Sequence, residues 1–439
     1  MNPQSDISAK CATRGAMPRK RFFSDNWHFN VSYVLLLIAV ATLPFTNWAL
    51  LPVACLMFVN WMVEWNWKEK WSNLRHNAST PTIIILFSVY LLAIYGFFLS
   101  CNKGKALADI ECYLWFLAAP LYLLTCNRKD ASNERIHTVF MFFALSTFVH
   151  LCILFVIAIQ NYVQTGDDIF LYYEKFSIIR HPSYVAMYAT FSFYFFLDFI
   201  NRNRMRLSIG LKILFYVMMT VMSAGVFFLQ SKAGILVFCI LAVVWLVYLL
   251  FVRSANSAAL LGVIIVVVSV GITLHEKDLL PIHRFKDTIE DVNRFKSNRQ
   301  GSGSSEIRLT VWRSTLEICR KNMPWGVGTG DATDELEANA VRNDYKNLVG
   351  RHFNAHNQYL QSLLSTGIPG IMVVIAYTLL PLVMGMRKKD ALLFSFSIIL
   401  ILNVFVESMF EVRGGVAFIA IMHVLLLLRL VPREPSGEI

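Results

Sequence analysis

The chain has 439 residues, 56% hydrophobic and only 16% charged, with a net charge of +11. A water-soluble domain cannot hide that much apolar surface, so most of the chain belongs in lipid. The excess of Lys and Arg does not point to nucleic acid, because the bases form short clusters between apolar runs, as the positive-inside rule requires.

A hydrocarbon core of about 30 Å takes about 20 apolar residues per helix. Unbroken runs such as 235–251 and 260–274 fit helices, not the alternation of a barrel. The chain opens with a tail at 1–30 that carries Arg19, Lys20 and Arg21. No cleavage site follows the first apolar stretch, so an uncleaved anchor is expected. Placing the basic clusters on one side predicts about twelve spans. Their limits are 31–46, 48–64, 81–100, 106–125, 136–160, 182–200, 211–229, 234–252, 257–274, 356–386, 390–408 and 414–430. Pro44 interrupts the first. Both termini, including the tail 431–439, then lie in the cytoplasm with bases such as Lys68, Arg128, Arg206, Arg253, Lys388 and Arg433.

The other side receives a link at 101–105, a loop at 161–181, the hairpin tip at 230–234, the long interval 275–355, and 411–413. The long interval mixes both charge signs, which is the surface of a globular unit. Within it, 307–321 reads as an amphipathic helix with Ile307, Val311, Leu316 and Ile318 on its apolar side. Pro324 stops that helix, and Gly326, Gly328 and Gly330 suit tight turns. Segment 297–305, rich in Ser and Gly, reads as a linker. Asp331, Asp334, Glu335 and Glu337 read as a solvated face, and Asp167 with Asp168 as an acidic loop turn.

Several outer-side residues can carry chemistry. Lys232 opens a span at a tight hairpin tip, where it serves either as a snorkelling anchor or as a phosphate contact at a helix start. Arg308 begins the amphipathic helix, as a solvated charge or a ligand contact. Arg180 and His181 precede Pro182 as interface anchors or ligand contacts. His356 enters the tenth span, either as a structural histidine or as a group able to take a proton at neutral pH. The eight cysteines show no CxxC and no metal-ligand spacing, and no nucleotide loop is present, so no metal or cofactor is expected.

Four stretches together resemble the O-antigen ligase and polymerase family of bacterial inner membranes. His356-Asn357-Gln358-Tyr359-Leu360, running on to Gly367-Ile368-Pro369-Gly370, is similar to the family's HNxYL…GxxG signature. Arg308 and Trp312, followed by Pro324-Trp325-Gly326-Val327-Gly328, resemble its RxxxW…PxxGxG run. Glu407-Ser408 with Arg413-Gly414 resembles its ES…RG element, and His181-Pro182-Ser183-Tyr184 a looser HPxY stretch. The likeness covers about 170–425; the first 150 residues match in hydropathy alone.

The resemblance implies an all-α polytopic membrane protein of the bacterial inner membrane. It would have about twelve transmembrane helices and one large periplasmic loop domain, 275–355, between the sets 31–274 and 356–430. It implies a glycosyltransferase that takes an undecaprenyl-diphosphate-linked glycan to a lipid A–core acceptor at the periplasmic face. Carried over, His356 is the base, Arg308 a diphosphate ligand, and Lys232 stands where the family has a second arginine. Lysine keeps that charge but loses the bidentate fork, and Arg180 is the candidate supplement. Asn357, Tyr359, Trp312, His181, Glu407 and Arg413 are supporting positions. The same chemistry serves a repeat-unit polymerase acting on a glycan acceptor, or an O-linked protein glycosyltransferase. Hydropathy alone also fits a transporter or flippase.

Overall fold

The computed structural model describes residues 24, 26–203, 205–251, 282–296 and 303–432. The expected span 257–274, both distal tails, Arg253 and the linker residues 297–302 lie outside them. Among the described residues every regular element is helical. In order these are α1 (Trp27–Thr42), α2 (Leu50–Val63), α3 (Trp67–Asn77), α4 (Thr80–Leu99), α5 (Lys103–Cys112) and α6 (Leu114–Thr125). Next come α7 (Asn133–Thr165), the single turn α8 (Tyr173–Phe176), α9 (Pro182–Arg202), α10 (Ile209–Phe228) and α11 (Lys232–Phe251). After them follow α12 (Ile282–Lys296), α13 (Ser304–Asn322), α14 (Ala332–Arg342), α15 (Gln358–Lys388), α16 (Ala391–Val406) and α17 (Arg413–Arg429).

Among the described residues, six helical stretches are long and apolar enough to cross a membrane: 80–99, 103–125, 133–165, 182–202, 209–228 and 358–388. Four shorter apolar helices accompany them, α1, α2, α11 up to Tyr248, and α16. Local chemistry sets the limits. Asn26 caps α1 by accepting from Phe29 N at 3.1 Å. The helix stops ahead of Pro44, so the first apolar helix begins and ends about four residues earlier than hydropathy suggests. Ser132 opens α7 and left-handed Gly166 closes it. Pro182 occupies the first turn of α9, with His181 as its cap.

Two helices form the centre. Every residue of α17 from Gly414 to Arg429 is buried, as is α9 from Pro182 to Asp198. A helix that is apolar all round belongs inside a bundle. Helix α9 lies among α7, α10 and α16, and α17 lies along α6. Four side chains tie one end: Arg202 pairs with Asp198 at 2.7 Å and Asp390 at 3.1 Å, and Arg429 reaches the same two aspartates.

The polar interval has its own small core. Ile307, Val311, Ile318, Ala332, Leu336, Ala340 and Leu348 close around Leu364 of α15. Leu316 departs from the expected apolar side and is exposed. It lies nine residues past Ile307, which at about 100° per residue is the opposite face. Ser304 and Ser305 also depart from the linker reading. They form the first turn of α13, where Ser305 N donates to Asp291 Oδ2 at 3.2 Å.

Asp331 is not simply solvated. Its carboxylate accepts from Cys101 N at 2.6 Å and Asn102 N at 2.7 Å, which docks the interval on the start of α5. The turn at 324–330 locks into α15 by backbone bonds: Val327 N to Leu364 O at 2.9 Å, Gly328 N to Ser365 O at 2.8 Å, and Ile368 N to Pro324 O at 2.9 Å.

Candidate active site

The end of the bundle opposite the Arg202–Arg429 cluster holds the beginnings of α9, α11, α13 and α15 and the loop after α16. Helix starts leave backbone N–H groups unpaired and favour anions. Lys232 is the first residue of α11. Its Nζ donates to Thr288 Oγ1 at 2.6 Å and Ser305 Oγ at 3.1 Å. Ser305 and Arg308 lie three apart on α13, a spacing that puts them on one face. Arg308 in turn forms an ion pair with Glu407 Oε1. The other carboxylate oxygen, Oε2, sits 3.3 Å from His356 Nδ1. Lys232 is thus bonded to Ser305 on α13, while Arg308, on the same helix, shares Glu407 with His356.

Exposure sorts these groups. The Glu407 side chain is 11% exposed, His356 25% and Arg308 31%, so the carboxylate lies beneath two groups that a ligand can reach. Burial would push the Glu407 carboxyl up. The hydrogen bond from His356 and the charges of Arg308, His356 and His181 outweigh that and hold it below the ordinary carboxylate range. His181 moves down chiefly through burial, partly opposed by Glu407 and Glu174.

The backbone around His356 is built to present it. Its φ is +45°, a sparsely populated region for a residue with a side chain. Its N donates to Asn354 Oδ1 at 3.0 Å. Asn357 caps α15 by accepting from Leu360 N at 3.1 Å, and its own N donates to Ser408 Oγ at 3.2 Å. Gln358 Oε1 accepts from Phe410 N at 2.8 Å. These bonds tie the start of α15 to the loop that carries Glu407. Trp312, one turn after Arg308, sets its ring edge against Phe405 with centroids 5.8 Å apart.

Other expected positions lie apart from this cluster. Arg180 bonds the Asn47 side chain and donates to Leu43 O at 2.7 Å, bracing the turn between α1 and α2. Tyr359 Oη pairs with Thr378 Oγ1 at 3.2 Å within α15. Arg413 pairs with Glu111 on α5. Beside it, Tyr113 Oη donates to Glu411 Oε1 at 3.4 Å. The sequence reading assigned Glu411, Ser305, Thr288 and Gln358 no role. Only Glu411 and Gln358 fall within a quoted motif, and nothing in the sequence tied Thr288 or Ser305 to Lys232. Among the described residues, no three His, Cys, Asp or Glu side chains gather as metal ligands.

Residues 217–375 match the family model described as O-antigen ligase. Over that stretch the chain is similar to the O-antigen ligase family. The matched stretch runs from within α10 to within α15 and contains Lys232, Arg308, Trp312, His356, Asn357 and Tyr359. Arg180, His181, Glu407 and Arg413 fall outside it. No curated protein matches the chain significantly. Together with the apolar helices, the family match supports a membrane protein and a lipid-linked glycan-related enzyme.

Proposed function

We propose that this protein, similar over residues 217–375 to the O-antigen ligase family, transfers an undecaprenyl-diphosphate-linked glycan to lipid A–core at the periplasmic face of the inner membrane. The observation that carries the reading is that α13 brings Ser305, bonded to Lys232, and Arg308, which shares Glu407 with His356, to one end of the bundle. A diphosphate-linked sugar brings its own leaving group, so no nucleoside triphosphate is needed. The acceptor hydroxyl oxygen bonds to the anomeric carbon as the bond from that carbon to the phosphate oxygen breaks. The hydroxyl proton passes to His356, and the bonding electrons leave with undecaprenyl diphosphate. Lys232 and Arg308 neutralise the charge growing on those phosphates, the largest single term in many such reactions. Displacement in one step inverts the anomeric configuration.

The test is transfer by the purified chain from a lipid-linked oligosaccharide, with lipid A–core and carrier-linked chains offered side by side. Label on lipid A–core supports the ligase. Elongation of the carrier-linked chains instead makes the protein a repeat-unit polymerase. No transfer to either overturns the reading. His356→Ala is expected to abolish transfer while the protein still inserts. Arg308→Ala and Lys232→Ala are each expected to weaken donor use by about 1–3 kcal/mol, the scale of a charged hydrogen bond. Full activity of His356→Ala removes the imidazole from the mechanism.

A further inference from the structure

The Arg308–Glu407–His356 arrangement sets one carboxylate between a cation meant for phosphate and an imidazole meant for a proton. We propose that Glu407 is a positioning residue with two successive roles: it occupies Arg308 until a diphosphate displaces it, and it fixes His356 in the tautomer that takes the acceptor proton. The proposal rests on the assignment of Arg308 to the donor diphosphate and of His356 to the acceptor hydroxyl.

The first role follows from charge and place. Arg308 keeps nearly a third of its side chain open while one Nη grips Glu407 Oε1. A guanidinium is a fork with several donors, and a diphosphate offers more oxygens and more charge than one carboxylate. An arriving diphosphate therefore competes with Glu407 for the same cation. Because Glu407 is the more buried partner and keeps the bond from His356, it has a second cation-like donor to rest on when Arg308 turns away. Without such a placeholder, Arg308 would face a protonated His356 with no carboxylate between them.

The second role follows from the donor inventory. An ionised carboxylate only accepts hydrogen bonds. The titratable and charged groups that face Glu407 are His356 before α15, Arg308 on α13 and His181 before α9, and they favour its ionised form. Nδ1 of His356, 3.3 Å from Oε2, must then carry the ring proton. That leaves the Nε2 lone pair for the acceptor hydroxyl. The partner of one ring nitrogen sets what the other can do. Glutamine at this position keeps the shape but can donate as well as accept, so the wrong tautomer becomes available.

The experiment uses the full chain in nanodiscs and two readouts. Binding of inorganic pyrophosphate is measured by calorimetry, and transfer is measured from a lipid-linked oligosaccharide. Glu407→Gln is expected to bind pyrophosphate roughly 3- to 10-fold more tightly, because the half-buried Arg308–Glu407 ion pair no longer opposes it. The same variant is expected to lose kcat by about 10²- to 10⁴-fold, the range for a disabled general base. Opposite signs are the signature, since a merely structural residue weakens both. Unchanged or weaker pyrophosphate binding overturns the placeholder role; unchanged kcat overturns the tautomer role. Glu407→Asp, which keeps the charge, is expected to restore part of kcat, and it carries the test if the glutamine variant does not fold. Should wild type and Arg308→Ala bind pyrophosphate equally, the diphosphate assignment itself fails, whatever Glu407 does.

Discussion

Glu407 and Glu411 are four residues apart in one short loop, yet their surroundings drive them in opposite directions. At Glu407 the bond from His356 and nearby cations outweigh burial and lower the carboxyl from the ordinary 4.5. The unfolded chain then binds more protons than the folded one, so this group stabilises the fold above pH 4.5 and loses that contribution as pH falls through its lowered value. At Glu411 burial, with Asp109 adding to it, pushes the carboxyl up to about 8 against Lys105 and Tyr113. There the folded chain holds the extra proton, so stability falls as pH rises from 4.5 through about 8. Melting temperatures of the solubilised protein across pH 3 to 9 check both signs. Glu407→Gln is expected to flatten the acid side and Glu411→Gln the alkaline side; identical curves for both variants would contradict the assignment. The sequence showed both glutamates inside an ES…RG element and could not separate them. What separates them is Arg308, 99 positions away from Glu407 in the chain, and Asp109 on another helix.

The elements show why the glycine motifs have their spacing. Pro324–Gly330 and the bend in α15 at Gly367 are two halves of one joint. Gly367 has φ +67°, and a Cβ there would lie 1.9 Å from Pro324 O. At Gly328, with φ +97°, a Cβ would meet Ser100 Oγ at 2.5 Å, and Gly330 N donates to that same oxygen at 2.9 Å. The joint therefore holds α15, and with it His356, against the end of α4. Gly367→Ala combines a forbidden backbone angle with a backbone collision and is expected to destabilise by more than about 3 kcal/mol. Gly166→Ala, at φ +70° with open space around it, bears only the left-handed cost of about 1 kcal/mol. Thermal unfolding of the two variants measures the difference, and equal losses would mean that the collision relaxes freely. Sequence pattern revealed the tight turn at 324–330, because glycine and proline punctuate locally, and placed Gly367 only in a family signature inside the tenth span. It did not reveal that they interlock, because backbone pairing between distant segments leaves no residue-type signature. Leu316 was misplaced for a different reason: residue type was followed over spacing, and nine residues past Ile307 already puts it on the opposite face.

The whole molecule has two chemically distinct ends, and its ion pairs mark them. Arg202 at the close of α9 meets Asp390 before α16 and lies with Arg429 at the close of α17. Lys232, Arg308, His356 and Glu407 gather where those helices have their opposite termini. Among the described residues, hydropathy located the six long and four shorter apolar helices to within several residues, since an apolar run is a local property of the chain. They missed the amphipathic α3 and the break between α5 and α6, where polar residues such as Lys105, Asp109 and Glu111 carry helical segments into the bundle. The arrangement makes a topological prediction. If the proposed catalytic cluster faces the periplasm, the exposed Lys346 belongs outside and the exposed Met205 belongs inside. In a background lacking the eight native cysteines, Lys346→Cys is expected to react with a membrane-impermeant maleimide in intact spheroplasts. Met205→Cys is expected to react only after permeabilisation. The reverse pattern would put the diphosphate ligands in the cytosol, where nucleotide sugars are available and a lipid-linked donor is not required.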